Sequence, residues 1–155
     1  MKKKVFIFSL IIIAIDFIIK RIVLNYVTNI CIIPNFFYLT LAKNTGAAFS
    51  LLENKIIFFI IIAFIVIYYI FKYSIKEDID KLEQVSYIFL IGGIIGNLID
   101  RVIYGYVVDY LRFIIFSYNF PIFNLADICI TIGTIFLIIS IFRKEKNNEN
   151  RSNWK

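Results

Sequence analysis

Asp109 and Asp127 are the two residues of this chain best suited to chemistry. They lie 18 residues apart. Two carboxylates brought into contact do not both ionise readily, so such a pair shares one proton. The ionised member can activate water, while the protonated member polarises a carbonyl and later protonates the leaving amine. This is aspartic-type hydrolysis of an amide. The rest of the composition leaves few alternatives. The chain has no histidine, which excludes Ser-His and Cys-His catalysis and imidazole metal ligation. Its two cysteines, Cys31 and Cys129, make neither a CxxC metal site nor a disulfide framework.

Other ionisable groups stand inside apolar runs, where each is costly and therefore a candidate for function. Asp16 and Lys20 have the i, i+4 spacing that places them on one side of a helix. They read equally well as an ion pair docking that helix against its neighbours. Asp100 and Arg101 are adjacent and read as a pair at a helix end. Asn124 and Asp127 fall in the first turn of an apolar run, where their oxygens would cap free N–H groups.

These residues must be held by membrane-spanning elements. Of the 155 residues, 61% are hydrophobic and 18% charged, against roughly 45–50% and 25% in soluble domains. A helix needs about 20 mainly apolar residues to cross the hydrocarbon layer. Four stretches qualify, at about 5–26, 56–71, 85–104 and 122–142. The expected fold is a mainly α membrane protein of four transmembrane helices. A small extracytoplasmic β element is expected over 31–52, and an interfacial helix or strand over 105–121. Residues 1–142 form one domain, and the polar segment 143–155 is expected to be an unstructured cytoplasmic tail. With an inside N-terminus, eleven lysines and arginines lie inside and at most six outside. The positive-inside rule therefore puts both termini in the cytoplasm. Lys2-Lys3-Lys4 before an apolar run imitates a signal peptide, but no small-residue cleavage site follows, so the first span is expected to stay. In this topology every membrane-associated carboxylate falls in the outer half. The loop joining Asp109 to Asp127 leaves and re-enters the same face.

Three secondary features have modest readings. Gly92, Gly93 and Gly96 suit close helix packing. Phe49 and Tyr110 fit an interfacial aromatic belt. Cys129 reads as a small buried hydrophobe.

Five segments in order resemble signal peptidase II, the bacterial lipoprotein signal peptidase family. They are Asp16-x-x-x-Lys20, Asn44-Thr45-Gly46-Ala47-Ala48-Phe49-Ser50, Gly92-Gly93-Ile94-Ile95-Gly96-Asn97-Leu98-Ile99-Asp100-Arg101, Val107-Val108-Asp109-Tyr110 and Phe123-Asn124-Leu125-Ala126-Asp127. The resemblance covers about residues 5–142. It implies an aspartic endopeptidase in the bacterial cytoplasmic membrane, with Asp109 and Asp127 catalytic near the outer face. It implies cleavage of diacylglyceryl-modified prolipoproteins just before the lipidated cysteine, with no cofactor and no metal. Asn44, Gly46, Asn97, Arg101, Asn124 and Ala126 would line or order the site, with Asp16, Lys20 and Asp100 in support. Membrane lipid and globomycin-type inhibitors are the implied partners. No nucleic acid is expected, and the chain is expected to be a monomer. The competing classes are a proton-coupled exporter built around Asp16 and a non-catalytic assembly subunit.

Overall fold

Long runs of isoleucine, leucine and phenylalanine without proline build the helices, since Pro34 and Pro121 both fall between elements. The structure is a computed structural model describing residues 2–46, 55–74 and 79–152. In chain order it contains α1 (Lys2–Tyr26), β1 (Asn29–Ile33), β2 (Phe37–Asn44), α2 (Ile56–Ser74), α3 (Lys81–Tyr104), β3 (Val107–Ile115), β4 (Tyr118–Asn119) and α4 (Leu125–Ser152). The molecule is thus mostly helical with one small antiparallel sheet.

The helices α2, α3 and α4 are long and apolar enough to cross a membrane. α1 is less apolar because it carries Asp16, Lys20 and Arg21. Asp16 and Lys20 are buried, however, and Phe6, Leu10, Ile11, Ile18 and Ile22 are exposed. The outward surface of α1 is therefore apolar, as a lipid-facing helix requires.

α3 is the central helix and packs against the other three. In lipid no hydrophobic force drives helices together, so small residues that permit close approach carry the packing. A Cβ on Gly92 would stand 2.6 Å from Ile12 of α1. One on Gly93 would meet the Ala126 carbonyl of α4 and lie 2.8 Å from Ile130. One on Gly96 would lie 2.7 Å from the Asp16 carboxylate. Gly133 of α4 repeats the device against Leu90 at 2.8 Å. Away from the sheet, Val5, Ile70, Ile79, Tyr87, Leu90 and Ile91 form one core. Beneath the sheet, Val23, Val27, Val108 and Tyr110 form a second.

Several boundaries differ from the sequence reading. α3 begins at Lys81, because Asp80 caps it by accepting from the Glu83 N–H at 2.7 Å. It ends at Gly105, whose φ of 76° gives the left-handed C-cap. The segment 105–121 is β3 and β4, which resolves the helix-or-strand question in favour of strand. The β element over 31–52 is present as β1 and β2, while 47–54 lie outside the described residues. The expectation of an unstructured tail from 143 is corrected: α4 continues to Ser152. An established helix adds residues without a new nucleation cost. Lys144 also pairs with Glu83, and Ser140 donates to Asp80 at 2.9 Å, tying this part of α4 to the start of α3.

Gly93→Ala is expected to destabilise the fold by about 1–3 kcal/mol, because the added methyl meets backbone on α4. Thermal unfolding in detergent checks this; an unchanged midpoint would mean that the α3–α4 seam yields freely.

Candidate active site

The sheet has the order β1-β2-β3-β4, with neighbouring strands antiparallel. β2 pairs with β3 so that Ala42 faces Asp109 and Asn44 faces Val107. This register carries Asn44 to the carboxylate of Asp109. Leu111 of β3 also bridges Phe123, with the Leu111 N–H donating to the Phe123 carbonyl at 2.8 Å and the Phe123 N–H returning at 3.2 Å. That bridge lays the chain just before α4 beside β3, bringing Asn124 and Asp127 to Asp109.

The first turn of α4 has free N–H groups that need acceptors. Three elements supply them. Asn124 and Asp127 form a reciprocal cap: the Asp127 N–H donates to Asn124 Oδ1 at 2.9 Å, and the Asn124 N–H donates to Asp127 Oδ2 at 3.2 Å. The Ala126 N–H donates to Asp16 Oδ1 of α1 at 3.0 Å. The Leu125 N–H donates to the Tyr110 hydroxyl of β3 at 3.2 Å. The position of Asp127 is therefore fixed from its own helix, from α1 and from β3.

Asparagine amides hold both carboxylates. Asp109 accepts from Asn44 Nδ2 at 2.9 Å and from Asn124 Nδ2 at 2.6 Å. Asp127 accepts from Asn97 Nδ2 at 2.7 Å. Asn124 touches both acids, so the observed link between them runs through this residue and not through a direct carboxyl–carboxyl hydrogen bond. Burial pushes the Asp109 carboxyl up, and the nearby Asp127 charge adds to this; the amide donors oppose it, and the result is about 7.

Beneath the pair lies an ion cluster. Lys20 Nζ meets Asp16 at 2.8 Å, Asp100 at 2.9 Å and Asn97 Oδ1 at 2.9 Å. Asp16, Lys20 and Asp100 are all at most 1% exposed. The i, i+4 pairing of Asp16 with Lys20 agrees with the sequence reading. The pairing of Asp100 with Arg101 does not. Adjacent residues on a helix point about 100° apart, so Asp100 turns inward to Lys20 and accepts the Val108 N–H at 3.0 Å. Arg101 turns the other way. It donates to the Gly46 carbonyl at 3.2 Å and the Asn97 carbonyl at 3.4 Å, and lies over the Phe59 ring of α2 at 4.8 Å.

A cavity of about 510 Å³ opens beside these groups. Asn44, Gly46, Asn97, Arg101 and Asp127 supply its polar wall, and Phe120, Ile122 and Ile130 part of its larger apolar wall. A second cavity of about 250 Å³, lined by Phe59, Ile62 and Ala63 of α2, shares Asn97, Arg101 and Asp127 with the first. Asp109 itself is 2% exposed and stands behind Asn44 and Asn124.

All eleven residues singled out from sequence therefore gather in one region. Ala126 contributes through its backbone, with no exposed surface. Tyr110 is corrected: it is buried and holds the start of α4 instead of joining an interfacial belt. Phe49, with the rest of Ala47 to Ser50, lies outside the described residues. Phe59 was missed, because a phenylalanine in an apolar helix carries no sign that an arginine from another helix lies over it. Cys129 is buried, as a small hydrophobe would be.

Comparison with known proteins shows the family and the fold. The family model for signal peptidase (SPase) II matches residues 8–143. A lipoprotein signal peptidase of Staphylococcus haemolyticus (strain JCSC1435) is 39% identical over 158 residues, covering 96% of this chain and all of that one. A bacterial membrane enzyme structure obtained by the in meso method at 2.3 Å superposes with a TM-score of 0.85 at 34% identity, covering 94% of this chain and 91% of that one. A second, obtained the same way at 1.9 Å, gives 0.80 at 35% identity, covering 90% and 92%. Matched by that family model over most of its length, the chain belongs to the signal peptidase II family of aspartic peptidases.

Proposed function

We propose that this protein removes signal peptides from diacylglyceryl-modified prolipoproteins, cleaving before the lipidated cysteine, with Asp109 and Asp127 as the catalytic pair. One observation carries the assignment: two carboxylates from different elements, Asp109 buried and Asp127 half-buried, are tied to the same asparagine beside a largely apolar cavity. The single-ended gathering of charge also argues against an exporter, which needs groups along a path across the membrane.

The pair starts with one proton. Asp127 starts as the base: it lines the cavity, stands at a helix N-terminus and accepts the Asn124 N–H. The carboxyl of Asp109, raised to about 7, keeps the proton. Asp127 takes a proton from water as the water oxygen attacks the scissile carbonyl carbon. Asp109 gives its proton to the carbonyl oxygen, forming a gem-diol. Asp109 then takes a proton back from the diol as the carbonyl re-forms. The C–N bond breaks, and Asp127 passes its proton to the departing amine, restoring the starting state. Arg101 and the asparagines supply donors for substrate carbonyls, and asparagine also supplies acceptors. Acyl chains on the cysteine suit the apolar wall and the surrounding lipid, and that anchoring turns binding energy into orientation of the peptide bond.

In the cell this reading places the protein in the bacterial cytoplasmic membrane as a monomer. Both termini face the cytoplasm and the sheet lies at the outer face. Membrane lipid and globomycin-type cyclic peptides are its further ligands.

The first test mixes the purified protein in detergent with a diacylglyceryl-modified prolipoprotein and follows product mass. Asp109→Asn and Asp127→Asn should each lower the rate by about 10³-fold or more while melting cooperatively. Cleavage surviving in either folded variant overturns the assignment of the pair. The wild-type rate should also fall above about pH 7, as Asp109 loses its proton. A rate that keeps rising to pH 9 would exclude Asp109 as the acid.

The same proton has a stability consequence. The folded Asp109 carboxyl lies above its ordinary 3.8, so the native state binds more protons than the unfolded state between 3.8 and about 7. Stability from this group is complete below 3.8 and is lost as pH rises through that window. Wild type should therefore lose melting temperature relative to Asp109→Asn between pH 5 and pH 8. Parallel curves for the two proteins would show that Asp109 is already ionised at pH 5.

A further inference from the structure

This inference rests on the reading of Asp109 and Asp127 as the reacting pair. Three asparagines present amide donors to the two acids. A side-chain amide fits its site in two orientations, and the wrong one would set an oxygen against a carboxylate. What decides the orientation is the donor that meets the amide oxygen. For Asn44 that donor is the Gly46 N–H, at 2.9 Å. For Asn124 it is the Asp127 N–H, also at 2.9 Å. Both are backbone groups close by in the chain, and local folding supplies them.

Asn97 differs. Its Oδ1 meets Lys20 Nζ at 2.9 Å and Asn124 Nδ2 at 3.1 Å. Lys20 belongs to α1, 77 residues away. An ammonium has three donors and no acceptor. The Asn97 atom facing it must therefore be oxygen, which turns Nδ2 to Asp127 at 2.7 Å. Two of the three Lys20 donors are used by Asp16 and Asp100, and the third is spent on this amide.

We propose that Lys20 is a positioning residue for the reaction: its ammonium fixes the orientation of the Asn97 amide and so presents the Asn97 Nδ2 donor to Asp127. The charged groups around the relay are Asp16 on α1, Asp100 and Arg101 on α3, Asp109 on β3 and Asp127 on α4. A hydrogen bond to the ionised form favours that form. Losing the Asn97 donor therefore moves the acid limb of the pH–kcat profile to higher pH.

Removing Lys20 alone would strand two buried carboxylates, so the test uses Asp16→Asn/Lys20→Met/Asp100→Asn. The two new amides keep oxygens for the Ala126 and Val108 N–H groups. This variant, Asn97→Leu and their combination are assayed in detergent on a diacylglyceryl-modified prolipoprotein, with thermal unfolding of each. The relay predicts a fall in kcat of about 10- to 100-fold in the triple variant. KM should change little and the acid limb should rise. Asn97→Leu should behave alike, and the combination should be no worse than Asn97→Leu alone. A folded triple variant with wild-type kcat and pH profile overturns the proposal, as do losses that multiply in the combination. Asn97→Asp is the second variant, should the triple fail to fold. It leaves Lys20 three acceptors but removes the donor to Asp127. The relay predicts a lower kcat and a raised acid limb, and wild-type behaviour overturns it. Asp109→Asn and Asp127→Asn run alongside: activity in either sinks the catalytic pair itself, whereas inactive controls with multiplying losses sink only the relay.

Discussion

One buried ammonium holds the candidate site of this molecule together. Lys20 is 1% exposed, and a charge so placed is tolerable only if it is paired and its hydrogen-bonding capacity is filled. Asp16, Asp100 and Asn97 fill it. Each carboxylate in turn binds the backbone of another element. Asp16 takes the Ala126 N–H at the start of α4, and Asp100 takes the Val108 N–H in β3. The cluster therefore fixes the two elements that carry Asp127 and Asp109. Breaking a buried pair by removing one partner typically costs about 3–5 kcal/mol, and here the loss would fall on the geometry of the site as well.

The packing and the electrostatics are one arrangement. Gly96 faces Asp16 so closely that a Cβ would stand 2.7 Å from its carboxylate. The absence of a side chain there is what lets α1 come near enough to α3 for Lys20 to reach Asp100. Gly93 does the same for α4, letting the Ala126 carbonyl approach the α3 backbone. Apolar packing elsewhere is less exacting. α2 is exposed over most of its apolar surface and touches the site chiefly through Phe59 beneath Arg101.

Much of this was legible in the residues. Apolar runs locate helices wherever the solvent is lipid, and polar groups within them must be accounted for. That reasoning found Asp16, Lys20, Asp100, Asp109 and Asp127, and the i, i+4 rule found the first pair. The cap formed by Asn124 and Asp127 could also be read, because capping is local. What could not be read was long-range. Asp100 and Arg101 are neighbours in the chain, but the helix turns them to opposite duties. Tyr110 looks like a belt aromatic until the bridge between Leu111 and Phe123 places its hydroxyl under Leu125. The run beyond Phe142 is polar enough to suggest disorder, yet polar residues extend a helix that has already formed.

The site sits where two kinds of secondary structure meet, and its chemistry depends on that seam. A strand such as β3 has almost no dipole of its own, so burial dominates the environment of Asp109. A helix start concentrates unpaired N–H groups, so the surroundings of Asp127 add a cap and a helix dipole to partial burial. Two aspartates on one helix, or on one strand, would share a similar environment and have less reason to divide one proton unequally. In the proposed mechanism, placing one acid on each element makes that division a property of the fold. Asn124 is the residue that belongs to both sides: its backbone and Oδ1 cap α4, while its Nδ2 reaches Asp109. A movement of α4 relative to β3 must therefore either break the Asp109 hydrogen bond or pull Asn124 out of its cap. This joint dependence is why the start of α4 is held from α1, from β3 and from its own first turn at once.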